Sequence, residues 1–174
     1  GTLAPEIIEL AKKNKYEFGD RRINNKRKCA ILLKQLHNAM HKNFNKDLES
    51  LNLTAVQGEV LIYLFHNQDK KIFQRNIEEN LKISNPTATG ILQRMEEKEL
   101  LSRIPDEKDA RFKIITLSQN AMGIKEELAK KRDIAAQRLF IHLKDNEIEE
   151  FERILKIMVK NMGEEEEKKK KEEM

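Results

Sequence analysis

Ser84, Asn85, Thr87 and Thr89 place four short hydrogen-bonding side chains within six positions, with Pro86 among them. At the amino end of a helix such groups can reach base edges or phosphates, and an asparagine can pair bidentately with adenine. Gln93 and Arg94 follow one to two turns later, where the arginine can grip a phosphate. Two other places could carry chemistry. Cys29 has Arg27 and Lys28 beside it, which would favour its thiolate. His37 and His41, four residues apart, share a helix face and could begin a metal site. No neighbouring cluster of Cys, His, Asp or Glu completes a tetrahedral set, although His66 or His142 could approach in space. No metal and no cofactor is therefore expected. Gly-rich phosphate loops, nucleophile elbows and metal-protease motifs are missing, and six glycines are few for a dinucleotide site. The reading is of a binding protein, not an enzyme.

The elements that must position these groups are mostly helical. Leu, Ile, Glu and Lys are abundant, glycine and proline are few, and tryptophan is absent. A chain of 174 residues allows one domain, or one domain with helical extensions. A domain this size needs neither a disulfide nor a metal to stay folded. The single cysteine excludes an intramolecular disulfide and points to a reducing compartment. No apolar run approaches the roughly 18–20 residues that cross a bilayer. The amino end, GTLAPEIIELAKKNK, has no apolar core of a secretion signal. A cytoplasmic protein without a membrane partner is expected. The net charge of +4 is a mild bias towards an anionic partner. It is concentrated in residues 12–28, where Lys12, Lys13, Lys15, Arg21, Arg22, Lys26, Arg27 and Lys28 face only Glu17 and Asp20. That arm is either solvated or a phosphate contact.

From Asn24 to Leu51, Ile31, Leu32, Leu36, Met40, Phe44 and Leu48 form a helical stripe. Thr54 is the expected N-cap of a second helix with Val56, Val60, Leu61 and Leu64 inward, ending near His66. Ile72-Phe73 suffices for one short strand, and Gln74 to Leu81 reads as a brief helix. Ser84 is the expected cap of the next helix. Pro86 falls in its first turn, where a missing N–H costs nothing, and Ile91, Leu92 and Met95 lie inward up to about Lys98. Two short helices around a tight turn make a helix–turn–helix. Leu101–Pro105 and Phe112–Leu117 then read as a β-hairpin across the polar connector DEKDAR, in the place of a wing. Ser118 caps a long helix to about Leu143, and Lys144-Asp145-Asn146 opens a last one carrying Ile148, Phe151, Ile154, Leu155, Met158, Val159 and Met162. In the tail, Glu164 to Glu167 precede Lys168 to Lys171 by four residues each, a favourable pairing on a solvated helical extension.

LTAVQGEVLIYL, IEENLKISNPTATGILQRMEEKELLSR and DEKDARFKIITLS closely resemble the MarR (multiple antibiotic resistance regulator) family of bacterial transcriptional regulators. LKDNEIEEFERILKIM resembles that family's last helix, so the likeness covers about residues 30–162. The resemblance implies a mainly α fold with a small β-hairpin wing (α+β), a winged helix–turn–helix with amino- and carboxyl-terminal dimerisation helices. It divides the chain into a basic extension (1–23), a dimerisation helix (24–51), a DNA-binding lobe (52–117), dimerisation helices (118–162) and a charged tail (163–174). It implies a homodimer on double-stranded DNA, repressing from a near-palindromic operator until released by a small phenolic ligand, an oxidant or a metal. It also puts Arg111 at the wing tip, where such an arginine enters a narrow, electronegative minor groove, with Asp109 bracing it. Lys108 and Lys113 are further phosphate candidates.

Gly90 departs from the family pattern, standing where many relatives carry a long side chain. So does Glu99, which stands where a glycine usually ends the recognition helix in a left-handed turn. The implied small aromatic effector would lie near Leu36, Met40 and Tyr63, positions that ordinary core residues could equally fill. Cys29 lies near the reactive cysteine of the family's peroxide sensors. It is one residue out of register, and the only tyrosines, Tyr16 and Tyr63, are not where they would assist. The same fold can instead serve as a protein–protein adaptor without specific DNA binding. Residues 70–113 carry ten basic and eight acidic side chains, which leaves both open.

Overall fold

The computed structural model describes residues 21–172 together with Pro5, Glu6 and Glu9, leaving aside the side chains of residues 164–170 and 172. Most of the basic arm (Lys12, Lys13, Lys15, Glu17 and Asp20), Tyr16, and the Glu–Lys pairs of the tail therefore lie outside the described residues. The chain forms two compact units, the first ending at Leu128 and the second beginning at Ala129.

In the first unit α1 (Arg21–Asp47) leads through a 3-10 turn at Glu49–Leu51 to α2 (Ala55–His66), α3 (Gln74–Leu81) and α4 (Asn85–Glu97). The hairpin of β1 (Leu101–Pro105) and β2 (Lys113–Leu117) follows, and then α5 (Gln119–Leu139), which continues into the second unit. This order is that of a winged helix–turn–helix. The first helix stops short of the predicted Leu51 because Asn52 turns left-handed at φ 53° and its N–H bonds the Glu49 carbonyl. The predicted cap of α2 is present as a full capping box. Thr54 Oγ1 accepts from Gln57 N–H at 3.3 Å, and Gln57 Oε1 accepts from Thr54 N–H at 3.1 Å. Asn45 Oδ1 accepts the Ala55 N–H at 2.6 Å, which ties α1 to the start of α2. A Cβ on Gly58 would lie 2.5 Å from Leu48 Cδ1, so glycine is what lets these two helices close.

Leu48, Val60, Leu61, Ile77, Leu92, Met95 and Leu128 are fully buried, one core joining α1, α2, α3, α4 and α5. The predicted inward faces of α2 and α4 are those that pack, and α3 packs through Ile77 and Leu81. The stripe on α1 is divided: Phe44 and Leu48 enter the core, whereas Ile31, Leu32, Leu36 and Met40 stay exposed. Ile72-Phe73, expected as a short strand, forms only a bridge from Phe73 to Ile114 and a 2.8 Å bond from Ile115 N–H to the Ile72 carbonyl. Two residues cannot extend the ladder further. The second strand starts at Lys113 instead of Phe112, because Phe112 closes the connector: its carbonyl accepts from Asp106 N–H and its N–H donates to the Asp109 carbonyl.

In the second unit α5 ends at Leu139, short of the expected Leu143. His142 is left-handed at φ 68°, and the Leu143 N–H closes a turn on the Phe140 carbonyl. α6 (Asp145–Glu172) then begins, with Glu147 Oε2 accepting the Lys144 N–H at 2.8 Å, and it carries the tail backbone as helix. Ile154, Ile157, Met158, Val159 and Met162 leave an apolar stripe of α6 exposed. Among the described residues no helix is long and apolar enough to cross a membrane.

Candidate nucleic-acid interface

α4 stands on the core through Ala88, Ile91, Leu92 and Met95. This leaves two adjacent rows outward at i, i+4 spacing: Asn85–Thr89–Gln93 and Pro86–Gly90–Arg94. Ser84 has the backbone of an N-cap, yet its hydroxyl makes no cap bond. It lies 2.9 Å from Thr87 Oγ1, so the expected side-chain cap is replaced by a hydroxyl pair. Pro86 offers no N–H in that turn, and the helix is opened by the Ser84 carbonyl accepting from Ala88 N–H at 2.9 Å.

Thr89 is also engaged within the protein. Its hydroxyl donates to the Asn85 carbonyl at 2.9 Å and accepts from Gln74 Nε2, at the start of α3, at 2.8 Å. The polar groups of α4 left exposed without a side-chain partner among the described residues are Asn85, Gln93 and Arg94 on these rows and Glu97 at the helix end. The Arg94 guanidinium folds back over Gly90, where a Cβ would meet only its Nη2, at 3.8 Å. Nothing inside the protein requires glycine there.

α4 ends in a Schellman motif: Glu99 N–H bonds the Glu96 carbonyl at 2.8 Å and Leu100 N–H bonds the Met95 carbonyl at 3.0 Å. Glu99 takes the left-handed position at φ 54°, the conformation expected of the glycine it replaces. Two polar ties hold this end. Lys98 Nζ donates to the Asn52 carbonyl at 2.7 Å and to Gln57 Oε1 at 2.9 Å. Glu96 accepts from Arg103 on β1 twice, from its backbone N–H at 3.1 Å and from Nη2 at 2.7 Å.

The hairpin pairs Leu101 with Leu117 through Pro105 with Lys113. At the root of its connector the buried Asp106 takes Lys71 Nζ at 3.0 Å. Phe112 meets Phe73 edge-on at 6.3 Å between ring centres. At the tip Asp109 holds Arg111 by four contacts: backbone N–H to Oδ1 at 3.1 Å, Nε to Oδ1 at 3.0 Å and to Oδ2 at 3.3 Å, and Nη2 to Oδ2 at 2.7 Å. The Arg111 side chain is nevertheless 85% exposed, so it is fixed in direction and still available. Hydrogen bonding from Arg111 lowers the Asp109 pKa, as that from Lys71 lowers Asp106 and that from Arg103 lowers Glu96. Lys108 and Lys113 are exposed beside this tip.

The three ties Gln74–Thr89, Glu96–Arg103 and Lys71–Asp106 were not legible in the sequence. They span 15, 7 and 35 residues, and no helical or strand period marks them.

The three residues expected beside a small aromatic effector sit in different surroundings. Leu36 and Met40 lie on the exposed stripe of α1, and Tyr63 is half-buried against the core. A surface hollow of about 350 Å³ is lined instead by His37, Asn38, His41, Lys42 and Asn45. The two histidine rings stand 6.0 Å apart, and among the described residues no group of three or more His, Cys, Asp or Glu could hold a metal. His66 is committed to the Ile62 carbonyl at 2.7 Å. Cys29 is exposed and free.

Residues 53–113 match the model of the MarR family. A solved transcription regulator MarR from Oenococcus oeni PSU-1 is 32% identical, covering 76% of this chain and 98% of that one, with a TM-score of 0.65. The S. aureus MepR–DNA complex is 26% identical over 76% of this chain and 95% of its own, with a TM-score of 0.70. The HTH-type transcriptional regulator MhqR of Bacillus subtilis (strain 168) is 22% identical over 129 residues, which is 74% of this chain and 88% of that protein.

Proposed function

Since the chain belongs to the MarR family of winged helix–turn–helix transcriptional regulators, we propose that it acts as a homodimeric repressor on a near-palindromic DNA operator. The observation that carries this reading is Arg111: a side chain 85% exposed at the tip of the wing, its guanidinium braced by Asp109. A cation held in this way suits a narrow minor groove, while Asn85, Gln93 and Arg94 on α4 suit the adjacent major groove. Thr87, Lys108 and Lys113 add hydrogen-bonding and phosphate contacts. Thr89 and Ser84 contribute mainly by ordering the start of α4, given their internal bonds. The solved complex of a relative with DNA supports the same reading.

A second copy is the partner for the apolar stripes. Ile31, Leu32, Leu36 and Met40 on α1, and Ile154, Met158, Val159 and Met162 on α6, are large apolar side chains left exposed, and exposed apolar stripes of this kind suit association. Release from DNA is assigned to a small phenolic ligand or an oxidant. The hollow beside His37 and Lys42 suits the first, and the exposed Cys29 suits the second. Peptide mass spectrometry after mild peroxide, with DNA binding followed in parallel, separates them.

Selection of bound sequences from random double-stranded DNA tests the core of the proposal. The expected product is a paired motif with half-site centres about 10–10.5 base pairs apart, or a multiple. Affinity should fall with salt at a log–log slope near −0.9 per phosphate contacted. An unenriched pool with a flat salt response would sink the regulator in favour of an adaptor. A monomer in sedimentation at micromolar concentration would sink the dimer.

A further inference from the structure

We infer that the Glu96–Arg103 pair is a positioning device that fixes the angle between the recognition helix and the wing, so that the contacts of α4 and of Arg111 are made together. The inference rests on the DNA-binding reading and specifies how its two halves are coupled.

Glu96 lies in the last turn of α4 and Arg103 is the middle residue of β1. One carboxylate oxygen takes the Arg103 backbone N–H and the other takes Nη2. The bond to the main chain orients the strand itself, which a side chain meeting only a side chain would not do. Lys113, first residue of β2, adds its charge near the same carboxylate. Arg103 pairs in register with the buried Ile115. Beyond it the hairpin runs on to Asp106 and then to the connector that carries Arg111. At about 3.3 Å per residue that is a lever of roughly 10 Å or more, and a 10° swing would move the tip by about 2 Å. Binding groups act together only when held within about 0.5 Å.

The pair is poorly suited to a purely stabilising role. The two side chains are only 20% and 28% exposed, and Arg103 Nε is shielded from solvent without a hydrogen-bond partner. An ion pair withdrawn from water with a donor left unmet is the kind that well-packed apolar residues commonly replace without loss of stability. What apolar residues could not reproduce is the directional bond from a helix carboxylate to a strand N–H.

The test uses the full chain on operator DNA selected with the wild type. The double variant Glu96→Leu/Arg103→Met should keep its melting temperature and dimeric state yet bind DNA at least tenfold more weakly. In that background Arg111→Ala should cost less than threefold, against tenfold or more in the wild-type background. Should the double variant not fold, Arg103→Lys, which keeps charge but not the planar fork, should show the same loss of coupling in smaller degree. Wild-type affinity in the double variant, or an unchanged cost of Arg111→Ala, overturns the positioning role and leaves the DNA-binding reading standing. Failure of the wild-type chain to bind any DNA overturns both.

Discussion

The wing tip and the outward face of α4 are both polar, but they are prepared in different ways. Around the wing three carboxylates, Glu96 at the end of α4 and Asp106 and Asp109 in the hairpin connector, each hold one cation and are held below their ordinary pKa by it. Arg111, the most exposed of these cations, therefore has its direction set before any partner arrives. α4 has no such bracing outward. Its hydroxyls are turned to neighbours within the protein, its one arginine lies over a glycine, and Asn85 and Gln93 are short or flexible. A pre-set cation loses little conformational freedom on binding and contributes affinity on any sequence. A thinly furnished helix reads few base edges, so discrimination rests on one or two residues.

The largest effect should come from the wing. Arg111→Ala is expected to cost roughly 1–3 kcal/mol, or about 10- to 100-fold in affinity, on specific and random DNA alike. The dimer and the melting temperature should be unchanged. Fluorescence anisotropy over a salt series measures both the loss and the slope. A loss confined to one sequence would reverse the assignment of affinity to the wing and discrimination to the helix. Asn85→Ala should show the complementary behaviour, about tenfold weaker on the selected operator and nearly unchanged on random DNA. A uniform loss there would make Asn85 a backbone contact.

A pH series separates bracing from reading. Glu96 has a lowered pKa in the folded chain, chiefly through its hydrogen bond from Arg103. Its stabilising contribution is therefore complete above the ordinary value of 4.5 and is lost as pH falls through the lower folded value. Charge-assisted hydrogen bonds of this kind contribute roughly 1.5–3 kcal/mol against loss of one partner. Denaturant midpoints from pH 7 to pH 3 should fall for the wild type, and Glu96→Gln should lack that part of the fall. Equal slopes would mean that the pair has no energetic hold on the wing.

What was legible in the sequence divides along the same line. The N-cap at Thr54, the inward faces of α2 and α4 and the β1 strand are local patterns, each contained within a few residues, and they appear as read. The pairing of Asp109 with Arg111 was legible only through the resemblance of this connector to the family's wing. The supports beneath them were not. Lys71 reaches Asp106 only because Ile72 and Phe73 bridge to β2, and Gln74 reaches Thr89 only because α3 and α4 cross at their starts. Ser84 shows the limit at short range. A residue type suited to capping was read correctly as the boundary, but its hydroxyl had a nearer partner in Thr87.

Glycine usage sharpens the comparison at smaller energies. Glu99 holds a left-handed backbone without being glycine, and Glu99→Gly should raise stability by about 1 kcal/mol. Denaturant unfolding would show it, and no gain would mean that the glutamate side chain offsets its own strain. Gly90 is the reverse case, a glycine within a regular helix. A Cβ there meets nothing closer than Arg94 Nη2 at 3.8 Å, in contrast to Gly58, where it would collide with Leu48. Gly90→Ala should thus stabilise α4, by up to about 1 kcal/mol. Its effect on DNA decides what the empty position is for. If Arg94 simply rests over Gly90, a methyl group displaces it slightly and affinity for the selected operator changes less than twofold. If affinity falls several-fold while stability rises, the surface of α4 reads DNA by close backbone approach at Gly90, and the helix discriminates by what it omits as well as by Asn85.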